Sequence, residues 1–167
     1  MPNRHFADTD LYVQHLTQNN NVTSDPFIAS RHVGFVAISA VPVYEIAIKS
    51  IFMEFGRKKH AVLGNFAKAR FDRINGRIGY KSIWDEYIRL FGEKYIIRFK
   101  KHVAAEEKMA LKQRGVSIVN SYNNIVTWRN TFAHEGRAPA NVTLMEVVNS
   151  YEEGKNVLRC LENSMVR

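Results

Sequence analysis

Residues 117–136, SIVNSYNNIVTWRNTFAHEG, carry the reading on which the fold turns. Ser117 is of the residue type that caps a helix start, and Gly136 with Pro139 shortly after it is the pattern that stops one. Between them Ile118, Tyr122, Ile125 and Val126 recur at intervals of three and four, so they share one helix face. At about 100° per residue that face runs on through Arg129, Phe132 and Ala133, which puts an arginine at a core-facing position. A guanidinium removed from water without a partner is costly, so Arg129 needs a carboxylate, carbonyls, or an anion that arrives with a ligand. Glu45, nearly alone as a charge in the most apolar helix, is the candidate internal partner.

The same punctuation recurs outward from this segment. Residues 8–19 read as a short first helix, followed by a polar loop ending at Pro26. Residues 30–55 form a long apolar helix stopped by Gly56, in which Pro42 either makes a kink or begins a fresh helix. Residues 60–78 make a weaker, very basic helix; Asn75-Gly76 lies inside it, with charged flanks unlike those of a hairpin. From 82 to about 114, Trp84, Tyr87, Ile88, Phe91, Tyr95, Phe99 and Val103 line a core stripe, with Gly92 as a break and Gly115 as the end. Thr143 caps the last helix, whose stripe of Leu144, Val147, Val148, Tyr151, Leu158, Leu161 and Met165 includes Gly154, where another helix can come close. The expectation is an all-α bundle of five or six helices in a single domain over residues 1–167.

Composition agrees: 46% apolar and 24% charged residues over 167 positions are the balance of one ordinary domain. The lone Cys160 excludes an intramolecular disulfide and reads as a packing residue, and six singly scattered histidines do not make a structural zinc site. No metal or other cofactor is expected. Residues 1–25 lack the apolar core of a secretion signal, and the apolar stretch 33–48 is shorter than the roughly 20 residues that span a bilayer. A cytoplasmic protein without a membrane partner is expected.

The net charge of +8 is unevenly placed. Residues 57–114 hold sixteen Lys or Arg against six Asp or Glu, while 1–56 hold three against five and 115–167 five against five. Clusters such as Arg57-Lys58-Lys59, Arg70 with Arg73 and Arg77, and Arg98-Phe-Lys100-Lys101 would attract a polyanion and release its counterions, and nucleic acid fits best. Arg98, Lys100 and Lys101 are the expected RNA contacts. On 117–136 itself, His134 stands near the helix C-terminus, where the macrodipole favours a cation, and Asn130 is its neighbour one turn back. A cation to fix a phosphate and an imidazole to move protons are the minimum equipment for metal-free RNA cleavage.

The run Trp128-Arg129-Asn130-Thr131-Phe132-Ala133-His134-Glu135-Gly136 resembles the R-x4-H signature of the HEPN superfamily, with a polar residue after the arginine and a small one before the histidine. The chain is most similar to the group of stand-alone HEPN domains with the RiboL-PSP type, whose late helix tends to read RN…AHG. Glu45, within Val43-Tyr44-Glu45-Ile46-Ala47-Ile48, resembles the acidic residue those relatives carry in an early helix and is expected to support the site. The likeness covers most of the chain as a helix pattern, and about nine residues specifically.

The resemblance implies a HEPN-like helical bundle that forms a homodimer, two R-x4-H motifs facing each other across a composite active site. It implies a metal-independent endoribonuclease in which Arg129 holds the scissile phosphate, His134 moves the proton and Asn130 orients. Attack by the 2′-hydroxyl would leave a 2′,3′-cyclic phosphate and a 5′-hydroxyl, restricting cleavage to RNA. The family's roles imply a toxin or phage-defence effector, with an antitoxin or other regulatory partner protein. One departure matters: relatives controlled by AMP transfer carry a tyrosine two residues after the histidine, and Gly136 stands in that place. Two other readings stay open on the residues alone: a non-catalytic helical module that binds RNA or protein, and a DNA-binding helix-turn-helix in the basic segment.

Overall fold

The structure, a computed structural model, describes residues 5–20, 25–138 and 141–166. Among them there is no strand; seven α-helices follow one another as α1 (Ala7–Asn20), α2 (Pro26–Lys59), α3 (Ala61–Phe71), α4 (Tyr80–Ser82), α5 (Glu93–Arg114), α6 (Ile118–Glu135) and α7 (Leu144–Met165). A π-helical stretch, Ile83–Tyr87, and a 3-10 turn, Ile88–Phe91, lead from the single turn of α4 into α5. The all-α class stands, with seven helices in place of five or six.

The predicted caps are where the sequence puts them. The Ser117 hydroxyl accepts from the Asn120 amide, Gly115 and Gly136 end their helices in the left-handed region, and Thr143 with Glu146 forms a capping box on α7. Pro139 lies outside the described residues. Helix α2 starts earlier than expected because Asp25 accepts from the Phe27 amide at 2.8 Å and Pro26 takes the first position, where no N–H is needed. It runs unbroken through Pro42, on its exposed side, and past Gly56 to Lys59. Gly56 is not a stop but a crossing point: a Cβ there would come 3.0 Å from the Leu63 carbonyl oxygen of α3.

The largest departure is at 72–79. Phe71, Ile74 and Ile78 are buried at helical spacing, yet α3 ends at Phe71 and the chain turns through Asn75 (φ 50°) and Gly76 (φ 77°). The Asn-Gly pair is a turn after all.

Helices α6 and α7 form an antiparallel pair against which α2 packs, and the contact residues set its level. Gly154 lies where a Cβ would fall 2.5 Å from the Tyr44 hydroxyl and 3.2 Å from the Tyr122 Cα, so α2, α6 and α7 meet at this glycine. Around it Tyr44 stacks on Tyr122 at 5.2 Å and on Tyr151 at 5.9 Å. Each phenol has a partner: Tyr44 donates to the Tyr151 carbonyl, Tyr122 to that of Ile78, and Tyr151 to Asp10. A second aromatic cluster of Phe52, Phe71, Tyr87 and Phe91 closes the basic side, and the expected core stripe of Tyr87, Ile88, Phe99 and Val103 is buried. Helix α1 is fastened by Asp10, which accepts from both Tyr151 and the buried Lys155.

By length and composition, Phe27–Lys59 is long and apolar enough to cross a membrane, so the stretch is not too short as expected. Half of its most apolar window is buried inside the bundle, as suits a core helix.

Candidate active site

Arg129 and His134 lie on the last two turns of α6, a helix fixed at both ends. At its start the Glu107 carboxylate accepts from the Ile118 and Val119 amides at 2.8 and 3.3 Å, adding to the Ser117 cap. At its finish Arg31 of α2 donates to the Gly136 carbonyl and lies over the Phe132 ring, while Phe35 meets that ring edge-on. Gly34 makes this approach feasible, because a Cβ there would sit 2.1 Å from two Phe132 ring atoms.

Arg129 is half-buried at the rim of the core and not inside it, and Ala133, placed on the core stripe by its spacing, is exposed. The expected pairing of Arg129 with Glu45 is not made. Glu45 instead binds Lys49 at 2.7 Å and accepts from the Gly76 amide at 2.7 Å. Arg129 reaches the other side of the same glycine: a Cβ on Gly76 would lie 2.6 Å from its Nη2. Among the described residues the guanidinium's one side-chain hydrogen bond is donated to Asn130 Oδ1 at 2.9 Å. Thus Glu45 and Arg129 meet at one backbone turn, and among the described residues no carboxylate forms an ion pair with the arginine. A close approach of side chain to backbone leaves no mark in sequence periodicity; the φ-permissive Asn75-Gly76 was the only available signal.

His134 and Asn130 are both exposed, four residues apart on one flank of α6. Arg129 and His134 are five residues apart, which on an ideal helix means a rise of roughly 7.5 Å and a turn of about 140°. One copy therefore presents them on different flanks, well over a right angle apart. Gly136, with φ at 67°, occupies a backbone conformation that a tyrosine would adopt only with strain.

The other predicted contacts are elsewhere. Arg98 donates to the Val166 carbonyl at 2.8 Å, Lys100 packs on the Trp84 ring at 3.8 Å, and Lys101 is exposed. Val166 is at the far end of α7 from the 132–144 end of the α6–α7 pair, so this group and Arg129 sit toward opposite ends of the bundle, separated by roughly 25 Å at 1.5 Å per residue. A cleft of about 370 Å³ lined by Ile51, Phe55, Lys58 and Met165 lies toward that same far end. Cys160 is buried, and burial pushes its thiol up to about 12, which suits packing and not nucleophilic attack. Among the described residues no three His, Cys, Asp or Glu side chains group as metal ligands would.

No curated protein matches this chain, and no solved structure does. A family model does: RiboL-PSP-HEPN, over residues 4–167.

Proposed function

The chain belongs to the RiboL-PSP-HEPN family, and from that membership we propose that it is a metal-independent endoribonuclease with Arg129, Asn130 and His134 as its catalytic residues. The observation that carries the reading is an arginine that abuts a backbone turn and, among the described residues, forms no ion pair, on the same helix end as an exposed histidine. The missing counter-charge is the scissile phosphate. Arg129 binds a non-bridging oxygen and offsets the charge that builds as phosphorus becomes five-coordinate. The 2′-oxygen attacks phosphorus, and its proton passes to a base while the 5′-oxygen leaves and takes up a proton; His134 performs one of these transfers. The products are a 2′,3′-cyclic phosphate and a 5′-hydroxyl. Asn130, bonded to Arg129, orients the guanidinium.

Because one copy turns Arg129 and His134 onto different flanks, the site is proposed to be composite, formed by two copies across a two-fold axis. An apolar stripe on α2 supports this: Phe27, Ile28, Phe35, Ile38 and Ile46 are all more than a third exposed, and Phe35 touches Phe132, on the same end of α6 as the two site residues. Arg98, Lys100 and Lys101 are proposed as a distal contact for longer RNA. The cellular role proposed is that of a toxin or phage-defence effector in the cytoplasm, held in check by a partner protein.

The test is cleavage of mixed RNA in excess EDTA, with product ends analysed, beside His134→Ala and Arg129→Ala. Each variant is expected to lose at least about a hundredfold in rate with an unchanged circular dichroism spectrum. Wild-type cleavage by either variant would remove the assigned site. Salt-dependent RNA binding without cleavage of any substrate would favour the non-catalytic binding module.

A further inference from the structure

Residues 72–79 have no repeating secondary structure, yet they are held almost residue by residue. Lys49 donates to the Asp72 carbonyl at 3.0 Å, Glu45 accepts from the Gly76 amide, Tyr87 donates to the Arg77 carbonyl at 2.5 Å and Tyr122 to that of Ile78 at 2.6 Å. Just beyond, Asn123 of α6 accepts from the Tyr80 amide at 3.2 Å, while Ile74 and Ile78 are driven into the core. Loops in compact domains are ordinarily the loosely held parts. This one is fixed by side chains from α2, α6 and the π-helical stretch.

Its course follows the candidate site. Tyr80 meets Asn123, Ile78 meets Tyr122 and Gly76 meets Arg129, so the loop travels along α6 toward the catalytic end. Two arginines, Arg73 and Arg77, flank the Asn75-Gly76 turn and are exposed. Among the described residues no acidic side chain pairs with either; Asp72, the nearest in sequence, is engaged by Lys68 at 2.7 Å. These two exposed arginines therefore stand on either side of the turn that Arg129 approaches at Gly76.

We propose that the loop 72–79 is a preorganised phosphate-binding element, in which Arg73 and Arg77 take RNA phosphates adjoining the one held by Arg129. This rests on the ribonuclease reading for the identity of the ligand. A guanidinium matches a phosphate with two parallel hydrogen bonds, and a rigid backbone beneath it reduces the ordering cost of binding. Arg73 and Arg77 are positioning residues: they set where the strand lies, and they do not touch the reacting atoms.

The test uses the full chain in a His134→Ala background, so that binding is read without cleavage. The probe is a fluorescent single-stranded oligouridylate, titrated by anisotropy from 50 to 300 mM KCl. Arg73→Gln/Arg77→Gln is compared with Lys108→Gln/Lys112→Gln, which removes equal charge from exposed positions of α5. Two lost phosphate contacts should lower the slope of log K against log salt by about 1.4, at about 0.7 per contact, with affinity weakened several-fold or more. With His134 restored, KM should rise and kcat should stay within about twofold of the parent, as expected when binding to ground and transition states is lost equally. A slope and affinity equal to those of the α5 control would overturn the proposal and leave the two arginines for an acidic protein partner. A reduced slope in a protein that cleaves no RNA would uphold the loop and sink the nuclease reading instead.

Discussion

Replacing Gly34 by alanine sets two terms of opposite sign against each other. In a helix interior alanine is favoured over glycine by about 1 kcal/mol. The added methyl, however, would lie 2.1 Å from Cδ2 and Cε2 of Phe132 and 2.5 Å from Cγ, well inside contact distance. The ring cannot move away freely, since Phe35 abuts it at 5.9 Å and it is 8% exposed. Overpacking of this kind costs about 1–3 kcal/mol, so the net expectation is a loss of about 1 kcal/mol in the parent protein. In a Phe132→Ala background the obstacle is absent, and the same substitution should stabilise by about 0.5–1 kcal/mol. The sign therefore reverses, with a coupling of about 1–3 kcal/mol between the two sites. Urea unfolding of the four proteins measures it, provided their m values agree. Because Phe132 anchors to α2 the turn of α6 that carries Arg129 and His134, displacing it should also lower RNA cleavage by about tenfold or more, beyond anything the small stability change explains. Equal effects of Gly34→Ala in both backgrounds, or stabilisation of the parent, would refute this account of the α2–α6 contact.

Alkaline pH should unfold the protein cooperatively. Burial holds the Tyr44 and Tyr122 phenols well above their usual value of 10.0, so at pH above about 10 the unfolded chain releases protons that the folded one keeps; stability, intact below that pH, falls by up to about 1.4 kcal/mol per pH unit for each. Denaturant midpoints measured from pH 8 to 12 check this, and a midpoint that stays flat above pH 10 would contradict it. Cys160, buried and with its thiol raised to about 12, should resist a thiol reagent at pH 8 in the native protein and react promptly in urea; rapid native labelling would show that the end of α7 opens.

What could be read in advance was what depends on local chemistry. Ser117, Thr143, Gly115 and Gly136 declare the limits of their helices by cap preference, and Gly154 by a small residue on a core stripe. The motif on α6 was legible for the same reason. The loop 72–79 was not, because Phe71, Ile74 and Ile78 imitate a helix stripe while the left-handed Asn75 and Gly76 break the helix between them. The partner of Arg129 was hidden too: a contact with a backbone turn leaves no complementary charge to find. Charge density picks out basic segments but not which end of the bundle each occupies: Arg98 lies by Val166, while Arg73 and Arg77 flank the turn that Arg129 approaches.

The bonds that close the bundle span most of the chain: Arg31 to Gly136 is 105 residues, Tyr44 to Tyr151 is 107, and Asp10 to Lys155 is 145. During translation α1 and α2 leave the ribosome with their inward faces bare, since α6 and α7, which cover them, are made later. The α6–α7 pair is thereby completed only after α7 emerges, a delay that limited proteolysis of ribosome-bound chains ending before Thr143 would expose.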